Sequence, residues 1–386
     1  MNLSDLTRNS YMLRGSLAKK GYMRWWHSFS GVNDRTGETR TFFVEYFIIN
    51  PRLYCKRFPW QKENPLADAV VLGQHPYSKK QGLRPSYFMM NVGVFPDRNG
   101  QEGRQLHTFY PASGLRVASN PMVMQIDTCF YSEEHICGHV EVSSEEARHR
   151  SHMSDAGAMT WDLEVYKAVA CNTGFLANPI SRFFHALDSY WHGEGIKSFF
   201  RGTVTLDGET YHVSPETCNG YSDKHWGRTY NHPWLQLSCG DLRSERTGKT
   251  LRHSVLAVNG CCPRFLFLPL RRKLLIQLTY TGEDFDFGMN PFVLSRCKWE
   301  TKETNRRYVW HILARNKNAV IKISGNCTKE QMMRIRYENP DGLLSRSPLL
   351  AGASAQGTIQ LYRCSSGGRE LLDTLHMENG FCVYRS

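Results

Sequence analysis

No run of eighteen uninterrupted apolar residues occurs in this chain, so a membrane-spanning helix is not expected. The first residues hold no apolar stretch between their charges and no small-residue cleavage pattern, so no secretory signal is read there. There is no Cys-x-x-Cys pair, no Gly-rich phosphate loop, no dinucleotide fingerprint and no Gly-x-Ser-x-Gly elbow. Nucleotide- and metal-dependent enzyme classes therefore find no support. His149 and His152 lie near Asp155, but on a charged stretch without a fourth ligand.

Runs of like charge are missing as well. Lys and Arg outnumber Asp and Glu by 48 to 36, for a net charge of +12. The basic residues come as scattered pairs such as Lys19-Lys20 and Arg306-Arg307, which reads as a solvated basic surface and not as a nucleic-acid interface. The twelve cysteines include adjacent Cys261 and Cys262 and several inside apolar stretches, such as Cys171 and Cys382. They are read as free thiols acting as small hydrophobes in a reducing cytoplasm.

Helical periodicity is scarce too, and what takes its place is alternation. A length of 386 residues exceeds one ordinary domain, and 41% hydrophobic residues with 12% aromatics suffice for packed cores. In "GTVTLDGETYHV" Asp207-Gly208 separates two alternating runs, a two-residue hairpin signal. "KLLIQLTYTGEDFDF" turns around Gly282, and "GTIQLYRCSSGGRELLDTL" bends at its Ser-Ser-Gly-Gly. "NAVIKISGN" puts Ala319, Ile321 and Ile323 on one face. The expected class is all-β, antiparallel barrels or sandwiches with few short helices. "SSEEARHRSHMS" is a helix or loop with no apolar face. "NPISRFFHALDSYWHGEG", residues 178–195, has Phe183, Phe184, Leu187 and Trp191 at helical spacing, with Gly193 and Gly195 as its stop. The domain junction is placed there, dividing the chain into residues 1–192 and 193–386.

Two stretches interleave aromatic and titratable side chains. In "GYMRWWHSFSG" and the following "TFFVEYFIINP", Phe43, Glu45 and Phe47 share one strand face. A carboxylate buried between them would need a partner such as Arg24, or would hold its proton and could donate it. In "GYSDKHWGRTYNHPW", Tyr221, Asp223 and His225 fall in phase on one side of an extended chain, with Trp226 on the other. An Asp near a His suits general acid–base work. The same residues also fit a strand entrance whose Asp and His bind local backbone and whose Trp plugs a barrel.

The segment "GTVTLDGETYHVSPETCNGYSDKHWGRTYNHPWLQLSC" resembles the tocopherol cyclase-like family, within a wider group similar to carotenoid hydratases and lipocalin-like Diels–Alderases. Tyr221, Asp223, Lys224, His225, Trp226, Gly227, Pro233 and Trp234 match the family core, and "LLIQLTYTGEDFDF" is similar less specifically. The N-terminal "RWWHSFSGVNDRTGETRTFFVEYFIINP" stands where the family's opening strand stands but departs from its usual Glu-Gly-Trp-Tyr core. The resemblance implies two lipocalin-like β-domains side by side, with an apolar cavity for a prenyl- or polyene-type molecule. It also implies cyclase, isomerase or hydratase chemistry without an organic cofactor, or else a non-catalytic carrier. Asp223, His225 and Glu45 would supply or relay a proton, and Trp25, Trp26, His27, Tyr221, Trp226 and Trp234 would contact the substrate. The partner is then a hydrophobic small molecule and not nucleic acid; peripheral membrane contact and oligomeric state stay open.

Overall fold

The computed structural model describes residues 9–53, 84–119, 121–149, 152–171, 187–218, 220–230, 234–262, 264–265, 268–269, 273–288, 295–342 and 348–385. Almost all of its regular structure is antiparallel β, in two large sheets. The first is built from β1 (Tyr22–Asn33), β2 (Thr39–Ile49), β3 (Tyr87–Val94), β4 (Arg104–Tyr110), β5 (Arg116–Ser119) and β6 (Met122–Ile126), followed by β7 (Cys129–Ser132), β8 (His135–Val142), β9 (Gly157–Val169), β10 (Ser189–Leu206), β11 (Glu209–Val213) and β12 (Gly220–Gly227). Its order is β4-β3-β2-β1-β11-β10-β9-β8-β7-β6-β5, with β12 also paired to β1 and β10. The sheet curls until its β4 edge meets the chain entering β9. There Asp155 donates its N–H to the Gln105 carbonyl, and its carboxylate accepts the Gln105 N–H.

The second part begins with β13 (Trp234–Cys239), β14 (Leu242–Ser244), β15 (Val255–Cys261) and a two-residue ribbon, β16 (Arg264–Phe265) with β17 (Leu268–Pro269). It continues through β18 (Lys273–Tyr280), β19 (Glu283–Phe287), β20 (Arg296–Glu303), β21 (Arg307–Arg315), β22 (Ala319–Thr328), β23 (Met333–Ile335), β24 (Leu349–Ser365) and β25 (Gly368–Arg385). The order of the second sheet is β19-β18-β15-β13-β25-β24-β22-β21-β20. Asn316, in the β21–β22 turn, donates to the Asp286 carbonyl on β19, so this sheet curls toward closure as well.

The local chemistry explains the turns. Asp207 (φ 47°) and Gly208 (φ 83°) both take positive φ between β10 and β11, as do Thr281 (φ 50°) and Gly282 (φ 90°) between β18 and β19. Ala319, Ile321 and Ile323 are buried while Lys322 and Ser324 are exposed. The short helix Ser144–Arg148 carries a capping box, Ser143 with Glu146, and buries none of its residues.

One expectation is corrected. From Ser189 onward the expected helix is strand β10, and Gly193 and Gly195 lie inside it; Phe183 and Phe184 fall outside the described residues. The physical reason is tertiary: from Ser189 the chain is held in an antiparallel ladder with β12, Trp191 opposite His225, and pairing with a strand distant in sequence overrides the local apolar spacing. The boundary at 192/193 accordingly falls within one continuous strand. The chain leaves the first sheet after Gly227 and enters the second at Trp234.

Strands β1, β2 and β12 lie against the second sheet and are buried on both faces. One face lines the interior of the first sheet. The other forms a layer shared with β13, β25 and the start of β24, and that layer holds the polar site.

Candidate functional site

Antiparallel pairing sets the site. In register, Trp26 lies opposite Glu45 on β2 and Asp223 on β12, while Arg24 lies opposite Phe47 and His225. The period of two then turns Arg24, Trp26, Glu45, Tyr221, Asp223 and His225 toward the second sheet. Contacts across the layer bear this out. The rings of Tyr221 and Trp26 pack on Phe381 at 5.1 and 5.7 Å, and His225 sits edge-on to Trp234 at 4.5 Å.

Asp223 is buried at the middle of this row. Its Oδ2 accepts from Trp191 Nε1 (2.9 Å), Tyr221 Oη (2.8 Å) and Gln236 Nε2 (2.7 Å), the last from the opposing sheet. Its Oδ1 has no hydrogen-bond partner. Beside it, Arg24 Nη1 binds Glu45 Oε1 at 3.1 Å, and Asn91 Nδ2 donates to Glu45 Oε2 at 2.5 Å. Asn91 Oδ1 accepts in turn from Gln105 Nε2 (3.0 Å) and faces His107 Nε2 at 3.1 Å. Burial pushes the Glu45 carboxyl up, with Arg24 and Asn91 pulling it back. Burial works against the Arg24 charge, yet Glu45 and Asp223 more than offset it.

His225 Nδ1 lies 2.6 Å from Tyr22 Oη, and His225 Nε2 has no partner. Burial first, and Arg24 second, hold this imidazole well below the usual histidine range, so it is neutral. Burial likewise pushes the Tyr22 phenol well up. Tyr22 therefore keeps its proton, and in the tautomer that donates it to Nδ1 the Nε2–H points away.

The remaining sequence candidates sit on the other face of the same strands. Trp25, His27 and Trp226 point into the first sheet: Trp25 and His27 pack on Tyr131 of β7 at 5.9 and 5.5 Å, and Lys224 lies 5.1 Å over the Trp226 ring. A second polar cluster gathers there. Lys167 Nζ binds Glu133 at 2.6 Å and Glu194 at 3.1 Å, with Lys224 Nζ 3.7 Å from Glu194. Trp25 Nε1 donates to Asn9 Oδ1 (2.9 Å), and His27 Nδ1 lies 2.9 Å from Ser222 Oγ. Burial, then Lys167, hold His27 well below the usual histidine range. The nine sequence-nominated residues thus fall into two groups separated by one sheet: Glu45, Trp26, Tyr221, Asp223, His225 and Trp234 in the inter-sheet layer, Trp25, His27 and Trp226 inside the first sheet.

Trp191, Gln236, Tyr22, Asn91, Tyr230 and Arg385 join the inter-sheet layer without having been nominated. Gln236 had a signal, as a polar residue in phase with Trp234 amid "WLQLSC". Arg385 had none, since its place follows from β25 pairing with β13.

Space in the layer is scant. One cavity of ≈ 20 Å³ touches Tyr221, Ser238 and Phe381, and one of ≈ 10 Å³ lies beside His225. Each has the room of about a water molecule. A groove of ≈ 600 Å³ at the edge of the sheets, lined by Lys197, Phe199, Cys218 and Leu251, shares Gly220 and Gly240 with the first cavity. Among the described residues no group of His, Cys, Asp and Glu is placed to hold a metal, no helix is long and apolar enough to cross a membrane, and the cysteines are free thiols.

No family model matches the sequence, and no curated protein matches it. Among solved structures, the chain is similar to a candidate AttH protein of Nitrosomonas europaea, with 12% identity and a TM-score of 0.45 over 93% of this chain and 91% of that one. It is also similar to kievitone hydratase of Nectria haematococca, with 12% identity and a TM-score of 0.43 over 98% of this chain and 92% of that one. Scores this low carry no assignment of activity.

Proposed function

We propose that the protein is a cofactor-independent hydratase or cyclase acting on a lipophilic, prenyl- or polyene-type molecule, with Asp223 as the proton-transferring group. The observation that carries this reading is the asymmetry of the Asp223 carboxyl, buried with three donors on Oδ2 and none on Oδ1. In the proposed reaction a proton leaves Oδ1 for an alkene carbon, and the carboxylate left behind is solvated by Trp191, Tyr221 and Gln236. Fixed donors aimed at charge that develops during the reaction stabilise it without reorganisation. The carbocation is then captured by water or by a hydroxyl of the same molecule, and the proton released returns to Oδ1. The balance closes without oxidant, reductant or cofactor.

The ring faces of Trp26, Tyr221 and Phe381 offer cation–π contact to the intermediate, worth about 0.5–2 kcal/mol each. Glu45 takes a positioning role in this scheme, because both its oxygens are occupied in holding Arg24 and Asn91. The groove beside Gly220 serves as the approach from solvent, and entry into the layer requires Phe381 or Trp26 to move.

A carrier reading is favoured by one observation: the larger spaces, the groove of ≈ 600 Å³ and one of ≈ 570 Å³ beside Trp299, Leu313 and Ile323, lie away from Asp223 and His225, while the cavities beside the titratable groups are water-sized. Incubation with polyenes and prenylated phenols, followed by mass spectrometry, separates the two. The hydratase or cyclase reading expects a product hydrated by one water or isomeric with its substrate, and its loss in Asp223→Asn. A ligand recovered unchanged supports the carrier and removes the catalytic reading.

A further inference from the structure

We propose that the small cavity beside His225 seats an anionic oxygen, so that the lipophilic ligand carries a carboxylate, enolate or phenolate at one end. This rests on the reading that the inter-sheet layer receives such a ligand, and adds the chemistry of its head group.

The cavity is walled by Trp234 and Leu349, and its polar lining is Arg24, Arg385, His225, Tyr230 and Tyr337. Every one of those five can donate, and two are guanidiniums, which stay charged. His225 Nε2 and the enclosed Tyr230 hydroxyl have no hydrogen-bond partner, and neither does Arg24 Nε. Buried polar atoms without partners are costly, and several around one void point to a group that completes them. The imidazole is held for this task. Tyr22 at 2.6 Å covers Nδ1, the Trp234 ring stands edge-on at 4.5 Å, and the Tyr230 ring lies parallel at 6.4 Å. A neutral imidazole bound through Nδ1 by the Tyr22 hydroxyl presents Nε2–H as a donor. The lining carries two guanidiniums, one of them already paired with Glu45 at 3.1 Å, and no carboxylate. An oxyanion there accepts from His225 Nε2, the Tyr230 hydroxyl and Arg24 Nε, and hydrogen bonds to a charged acceptor are the stronger kind. At ≈ 10 Å³ the space fits one oxygen-sized group and no ring, so it is a head-group subsite and not a whole-ligand pocket.

The test is calorimetric titration of the full-length protein with decanoate and with decanol, which share a chain and differ in charge. Decanoate is expected to bind at least about tenfold tighter than decanol. That preference should shrink several-fold in Arg385→Gln and in Tyr230→Phe and survive in Arg385→Lys, with thermal melts confirming that each variant folds. If Arg385→Gln does not fold, Tyr230→Phe, at a half-buried position, carries the test. Equal binding of the two probes overturns the anion subsite and leaves the lipophile reading standing. A carboxylate preference that no variant alters places the anion elsewhere and overturns it too. Failure of both probes to bind removes both inferences.

Discussion

Asp223 shows what a residue type and its phase can and cannot say. Alternation put Tyr221, Asp223 and His225 on one side, and they are found there together. That Oδ1 would be left open while Trp191 and Gln236 cover Oδ2 depends on strands far apart in sequence, and no local pattern announces it. Asp223→Asn keeps the volume and, with its amide oxygen in the place of Oδ2, the acceptor that Trp191, Tyr221 and Gln236 share, so it is expected to fold, with turnover down by about two to four orders of magnitude. Loss of the folded state in a thermal melt would give Asp223 to structure instead. A second expectation concerns Glu338, whose carboxyl burial raises to about 7 and which accepts from Tyr87 Oη at 3.0 Å. The native protein binds this proton more tightly than the unfolded chain. Its contribution is therefore complete below about pH 4.5 and disappears as the pH rises through about 7. Glu338→Gln should remove that slope, leaving the variant more stable than wild type at pH 8 by on the order of 3 kcal/mol at most. Melting curves between pH 4.5 and pH 8 check this, and parallel pH profiles for the two proteins would contradict it.

At the scale of the element, hairpins were legible and bulged strands were not. Asp207-Gly208 and Gly282 specify positive φ by their chemistry, and the turns follow. The stretch 178–195 misled because from Ser189 its partner is β12, distant in sequence; where β10 then bulges, a Cβ on Gly195 would lie 2.1 Å from the Ser198 hydroxyl oxygen. Strand β12 depends on a similar close approach at its start. A Cβ on Gly220 would stand 2.2 Å from the Ser198 carbonyl oxygen and 2.7 Å from the Phe200 ring. Gly220→Ala must displace β12 against β10, and a loss of about 1–3 kcal/mol is expected in chemical denaturation. Because β12 carries Tyr221, Asp223 and His225, the same variant should also lower turnover; unchanged stability would show that the two strands have slack.

For the whole molecule, the sequence spoke for two β-units but not for the seam between them. Burial on both faces of β1, β2 and β12 means that the first sheet presents an apolar, charge-bearing face that the second sheet covers together with Tyr230 and Tyr337. Lys197 of β10 reaches across as well, donating from Nζ to the carbonyls of Gly240 (3.2 Å) and Ser254 (3.1 Å). The boundary at 192/193 rests on a helix-like spacing ending at Gly193 and Gly195, whereas the passage from one sheet to the other between Gly227 and Trp234 is set by pairing between distant strands. Residues 1–230 expressed alone should bind a hydrophobic dye and aggregate, because Trp26, Phe43 and the Arg24–Glu45 pair lose their cover. A soluble, dye-silent fragment would contradict this account of the layer.

Transfer of a proton to carbon within the inter-sheet layer is read directly by deuterium. The full-length protein is incubated in deuterium oxide with a panel of polyenes and prenylated phenols, and the recovered molecules are weighed by mass spectrometry. One carbon-bound deuterium per converted molecule is expected, and none with Asp223→Asn. Recovery of bound ligand without carbon-bound deuterium would contradict it.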